Sequence, residues 1–137
     1  MKRFLLLITI LFTFVSAQSQ SDYYWAYRTE IYRYNSYTEE WDLIQKNTDL
    51  NIEVAFTHNV VTINAEQASS FKLYPPYEEK VTGNNTTIAR WKAYEITKSM
   101  DCIVDLVKYP NTNFTVLSVI YSDASPAVNL RYYLRYN

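Results

Sequence analysis

The sequence predicts an all-β fold: a single antiparallel meander of eight or nine strands, closed or nearly closed into a barrel, with a two-sheet β-sandwich as the alternative. Three observations point there. Apolar residues recur with a period of two along short runs. Clusters of Asn, Asp, Ser, Thr and Pro separate those runs at hairpin spacing, and no segment sustains the 3.6-residue period of a helix. An open sheet of this size would leave two exposed edges, which closure removes.

The first element spans residues 23–34, with Tyr23, Trp25, Tyr27, Thr29 and Ile31 on an apolar face and Tyr24, Arg28, Glu30, Tyr32 and Tyr34 on a mixed one. Asn35-Ser36 turns the chain into residues 38–46, where Trp41 and Leu43 share a face. In residues 51–57, Ile52, Val54 and Phe56 alternate with polar positions, and the two-residue link His58-Asn59 joins them to residues 60–65 in a tight hairpin. Residues 65–70 read as a loop and 71–74 as a short strand ended by Pro75-Pro76. The longest polar connection, residues 77–86, contains the only glycine, Gly83. Strands at 87–97, 101–109, 113–121 and 127–136 close the chain. The third of these is apolar at Phe114, Val116, Leu117, Val119 and Ile120, as expected of a strand covered on both faces. The last alternates Val128, Leu130, Tyr132 and Leu134 with Asn129, Arg131, Tyr133 and Arg135.

The N-terminus has the form of a secretory signal peptide. Lys2 and Arg3 precede an apolar run at 4–15, and Val15-Ser16-Ala17 offers short residues to a signal peptidase. The run is shorter than the roughly 20 residues of a spanning helix. The expected organisation is a signal peptide at 1–17 and one β domain at 18–137, secreted or periplasmic and free of the membrane after cleavage. The whole chain has a formal net charge of −1, and cleavage removes two positive charges. Acidic and basic residues are interspersed, so neither nucleic acid nor an anionic membrane is an expected partner. Cys102, the only cysteine, cannot form an intramolecular disulfide; its apolar neighbours Ile103 and Val104 predict burial, and the domain is expected to be monomeric.

Little in the sequence suggests catalysis. One His and one Cys are too few for a zinc site, no loop has calcium-ligand spacing, and one glycine excludes phosphate-cradling loops. No metal, cofactor or enzymatic activity is expected. The carboxylates Glu40 and Asp42, which share a strand face, are the residual option for a hydrolase. Asn84, Asn85 and Asn113 begin glycosylation sequons.

The aromatic content is the richest signal, with 14 Tyr and 3 Trp. Trp25, Tyr27, Trp41 and Trp91 are read as core, since aromatic side chains suit half-buried strands. Tyr32 and Tyr34 on the first strand, and Arg131, Tyr133 and Arg135 on the last, are the candidate binding residues, because exposed mixtures of Tyr and Arg are favoured at interfaces. The expected function is therefore binding to a protein or glycan. A barrel enclosing a small apolar ligand is the alternative. A meander of this length resembles the lipocalins, but their Gly-x-Trp signature is met only at Trp41 of Glu39-Glu40-Trp41, and no family is assigned.

Overall fold

The structure, a computed structural model, describes residues 22–110 and 114–136. The signal segment 1–17 with its cleavage point, and the sequon at Asn113, lie outside the described residues. Nine strands occur among them: β1 (Asp22–Asn35), β2 (Glu40–Asn47), β3 (Ile52–Thr57), β4 (Val60–Asn64), β5 (Ser69–Val81), β6 (Thr87–Glu95), β7 (Met100–Lys108), β8 (Thr115–Tyr121) and β9 (Val128–Tyr136). All pairings are antiparallel. Strands β3 to β9 pair in sequence order, and β1 bridges β3 and β9, so these eight close into a barrel. β2 is one extra strand. It pairs with the second half of β1 (Thr29↔Asn47 to Asn35↔Glu40), while Asp22 to Ala26 pair with β3. The barrel is thus the observed architecture and the sandwich is not.

The interior arises from the period of two. Leu117 faces Leu106 on β7 and Tyr132 on β9, and Val119 faces Val104 and Leu130 in the next layer. Leu117, Val119 and Val104 are all fully buried. Across the barrel, Val54, Val61, Ile63 and Phe71 complete the core, with Ile52 and Phe56 packed against it. Each such side chain contributes about 1.5–3 kcal/mol on leaving water. The β3–β4 hairpin turns at His58 and Asn59, with φ of 47° and 71°, the paired left-handed conformation that a two-residue hairpin needs. β8 is covered on both faces, as its composition predicts: Val116 and Ser118 are buried on the outside. Phe114, grouped with that strand from the sequence, lies before it and is 54% exposed.

Three other expectations are corrected. On β1 the register with β9 slips between Ala26 and Arg28. This bulge inverts the alternation, so Tyr24 and Ala26 pack inward before it while Tyr23 is exposed. The uniform odd-numbered inward row is therefore wrong in its first half, since an extra residue in one strand reverses the facing of every later residue. Trp41 is not core. It sits on β2, outside the barrel, edge-on to Tyr34 at 5.4 Å. Finally, Pro75-Pro76 do not end a strand. β5 runs through them, and Glu78 to Val81 pair with Arg90 to Thr87 of β6. The prolines survive because they stand in a wide irregularity where no ladder N–H is required. The true turn is at Thr82–Thr86, where the Thr82 N–H donates to the Thr86 carbonyl at 2.9 Å, and Asn84 and Asn85 are exposed on it.

Cys102 is buried on β7, and no disulfide forms. Burial first, then the nearby carboxylates Glu95 and Asp101, push its thiol up to about 11. The folded protein is expected to resist a maleimide reagent at neutral pH and to label once unfolded, as intact mass would show. Rapid labelling of the native protein would contradict the burial.

Candidate functional site

Three places combine polar chemistry with space. The first is the outer wall of β1 and β9, which the sequence singles out. Glu30 is only 5% exposed although it lies on the outside of the sheet. Its cover is aromatic and cationic. The Tyr133 hydroxyl donates to Glu30 Oε1, and the Tyr32 hydroxyl donates to the same oxygen at 3.0 Å. Arg28 Nη2 stands 3.8 Å from Glu30 Oε2, with its guanidinium 3.8 Å above the Tyr133 ring. Arg131 lies 4.3 Å over the ring of Tyr32. Burial works to raise the Glu30 carboxyl, but the bonds from Tyr133 and Tyr32 and the charge of Arg28 outweigh it and hold the group below its ordinary value. Burial and the bond to Glu30 push both tyrosine hydroxyls up.

Of the five residues expected to bind, the structure brings Tyr32, Arg131 and Tyr133 together around Glu30. Tyr34 stands apart against Trp41. Arg135 is exposed beyond the cluster, at a cavity of about 300 Å3 that it lines with Tyr27, Phe114 and Leu134. Glu30 organises the wall by taking both hydroxyl donors, so the hydrogen-bonding capacity of Tyr32 and Tyr133 is engaged internally.

The second place is the irregularity of β5. Tyr74 pairs with Lys92 and Glu78 with Arg90, so Pro75, Pro76 and Tyr77 stand opposite Trp91 alone. A pocket of about 410 Å3 lies at this irregularity. Tyr74, Pro75, Pro76 and Trp91 supply its aromatic and apolar walls, and Glu78, Arg90 and Lys92 its polar rim. Tyr77 packs on Trp91 with ring centroids 5.1 Å apart. Arg90 is fixed by a bidentate pair with Asp105, its Nε and Nη2 each donating at 2.8 Å. That bond, opposed by burial and aided by the charges of Asp105 and Glu78, holds the guanidinium above its ordinary value. Two cations and two carboxylates, counting Asp105 behind Arg90, leave the pocket without net charge. Sequence reasoning misses this site because the double proline reads as a stop. Its visible trace is that Pro75-Pro76 and Trp91 both fall inside otherwise alternating segments.

The third place is one end of the barrel interior. Glu95 is fully buried there, and the Tyr121 hydroxyl donates to its Oε2 at 2.5 Å. At strand-end position 95 a glutamate reads as exposed, and nothing local reveals its partner on β8.

Elsewhere the chemistry is dispersed. Glu40 and Asp42 are exposed on β2, where Asn35 Nδ2 donates to Asp42 at 3.0 Å. His58 occupies its hairpin turn and Cys102 is buried. Among the described residues no group of three or more His, Cys, Asp or Glu is placed to hold a metal ion. No protein-family model, curated protein or solved structure matches the chain.

Proposed function

We propose that the protein is an exported, non-catalytic binding domain whose partner is a neutral glycan, held in the pocket at the β5 irregularity. The observation that carries this reading is the union, in one concavity, of aromatic faces with a charge-balanced rim. A sugar ring offers an apolar C–H face to Trp91 or Tyr74 and hydroxyls to Glu78, Arg90 and Lys92. A charged ligand of either sign would meet a like charge beside every opposite one, so the rim favours neither. The volume lies within the range of small-ligand sites, and bulges recur beside binding sites because they re-aim side chains. Export is supported by the signal-like residues 1–17. The packed centre of the barrel favours this outer pocket over an enclosed apolar ligand.

The test is a glycan array followed by titration calorimetry with the best neutral oligosaccharide. Tyr74, 42% exposed, is the variant site that spares the core. Tyr74→Ala is expected to weaken binding roughly five- to tenfold, the loss of one aromatic contact of about 1 kcal/mol. Its melting temperature should stay near that of the parent. An array on which only charged glycans bind, or a Tyr74→Ala affinity equal to the parent's, would reject the pocket.

The second reading is a protein partner on the β1–β9 wall, supported by its Tyr and Arg content and by exposed Tyr109 and Phe114, which line one cavity with Arg28 and Tyr133. Arg135→Ala would weaken such a partner and leave glycan binding unchanged.

A further inference from the structure

The barrel end that holds Glu95 carries a charge neither reading uses. Glu95 is the last residue of β6, between Phe71 of β5 and Met100 of β7. Its side chain is wholly inaccessible, yet only one oxygen is satisfied. Oε2 accepts from Tyr121, while Oε1 is buried without a hydrogen-bond partner. The nearest cation is Lys98, whose Nζ stands 4.0 Å from Oε1, beyond hydrogen-bonding reach. Lys98 is itself 58% exposed, and its ammonium also lies 5.6 Å from the centroid of the Tyr121 ring.

Lys98 and Tyr121 also line a cavity of about 210 Å3, with Met100, Ala124, Val128 and Leu130; Glu95 lies behind them and does not itself line it. The two side chains that meet the Glu95 carboxylate thus form its polar corner, and the rest of its wall is apolar. A buried carboxylate with an unpaired oxygen is costly, and an ammonium is the group that would relieve it. Lys98 meets that need only partially: it comes from solvent, stops short of Oε1 and leaves the apolar wall uncovered.

We propose that this end of the barrel binds a small primary amine with an apolar tail. Glu95 Oε1 accepts from the ligand ammonium, the Tyr121 ring contributes a cation–π contact, and the tail lies against Met100, Val128 and Leu130. Lys98 is the intramolecular occupant that the ligand displaces into solvent. Anionic ligands are excluded by Glu95, whose negative charge reaches further into the barrel. Burial first, then that charge, push the Tyr132 hydroxyl up to about 12. The inference does not depend on the glycan pocket, which uses none of these residues.

Titration calorimetry of the full domain at neutral pH, with n-hexylamine, n-hexanol and n-hexanoate as probes, tests it. Hexylamine is expected to bind saturably, hexanol more weakly and hexanoate not at all. Lys98→Ala should tighten hexylamine roughly three- to tenfold, because removing an internal competitor raises the share of open sites. This direction distinguishes a competitor from a structural lysine, whose loss would weaken binding or leave it unchanged. Glu95→Gln should abolish the preference for amine over alcohol. If Glu95→Gln does not fold, the Lys98→Ala result and the probe comparison decide. Equal binding of hexylamine and hexanol, or no tightening in Lys98→Ala, would overturn the proposal.

Discussion

Val119→Asp is expected to leave the domain unfolded at 25 °C. Val119 is fully buried on β8, between Val104 on β7 and Leu130 on β9. The described residues paired across that layer, Trp91, Val104, Leu130 and Ile31, include no cation to pair with a carboxylate. An unpaired charge there is driven to neutralise or to open the core, at about 4–5 kcal/mol or more. Domains of this size have roughly 5–15 kcal/mol in total, so such a loss leaves one near the lower end of that range with little or no stability. Circular dichroism should show no cooperative thermal transition. A transition near the parent's temperature would mean that β8 is not the centre of the packing.

Leu134→Ala and Tyr133→Phe form the second expectation, because adjacent residues on β9 face opposite ways. Leu134 is 1% exposed, pairs with Ala26 and Thr115, and belongs to the core. Its truncation should cost about 2–5 kcal/mol, with the upper part of that range applying if the β1–β9 seam does not collapse around the gap. Tyr133→Phe keeps the ring beneath Arg28 and deletes the hydroxyl, with its bond to Glu30 and its favourable interaction with Arg28. A hydrogen bond to a charged acceptor contributes about 1.5–3 kcal/mol, and Tyr32 still serves the same oxygen, so the loss should fall at or below the lower end. Urea denaturation of both variants gives the comparison. Equal losses would place the Tyr133 hydroxyl network on a par with the core.

These two residues also show why parts of the molecule are legible in sequence. On β9 polar and apolar positions alternate strictly, so Leu130 and Leu134 could be assigned inward and Arg131 and Arg135 outward without ambiguity. β1 has tyrosine or tryptophan on both rows. An amphipathic ring fits either face, and the pattern gives no warning of the slip after Ala26 that inverts it. Pro75-Pro76 carries a true local rule, that proline leaves a strand ladder, but the chain obeys it by bulging and then resuming the ladder at Glu78. The binding candidates divide in the same way. Tyr32, Arg131 and Tyr133 are visible as a mixed aromatic and cationic row, but that they enclose Glu30 depends on register between the first and last strands. Glu95 is invisible because its burial is created by Tyr121, Phe71 and Met100 from three other strands.

The closing pair β1–β9 has a kinetic consequence. Its register partners, such as Ala26 and Leu134, are separated by almost the whole described chain. The remaining ring pairings join strands nearer in sequence. Loop-closure entropy therefore delays the seam relative to the hairpins, and refolding should be slow for a domain of this length. Until the seam forms, the β1 and β9 edges are both open. The species most prone to join a neighbouring chain edge to edge is thus the nearly complete barrel, and self-association during refolding should rise with protein concentration.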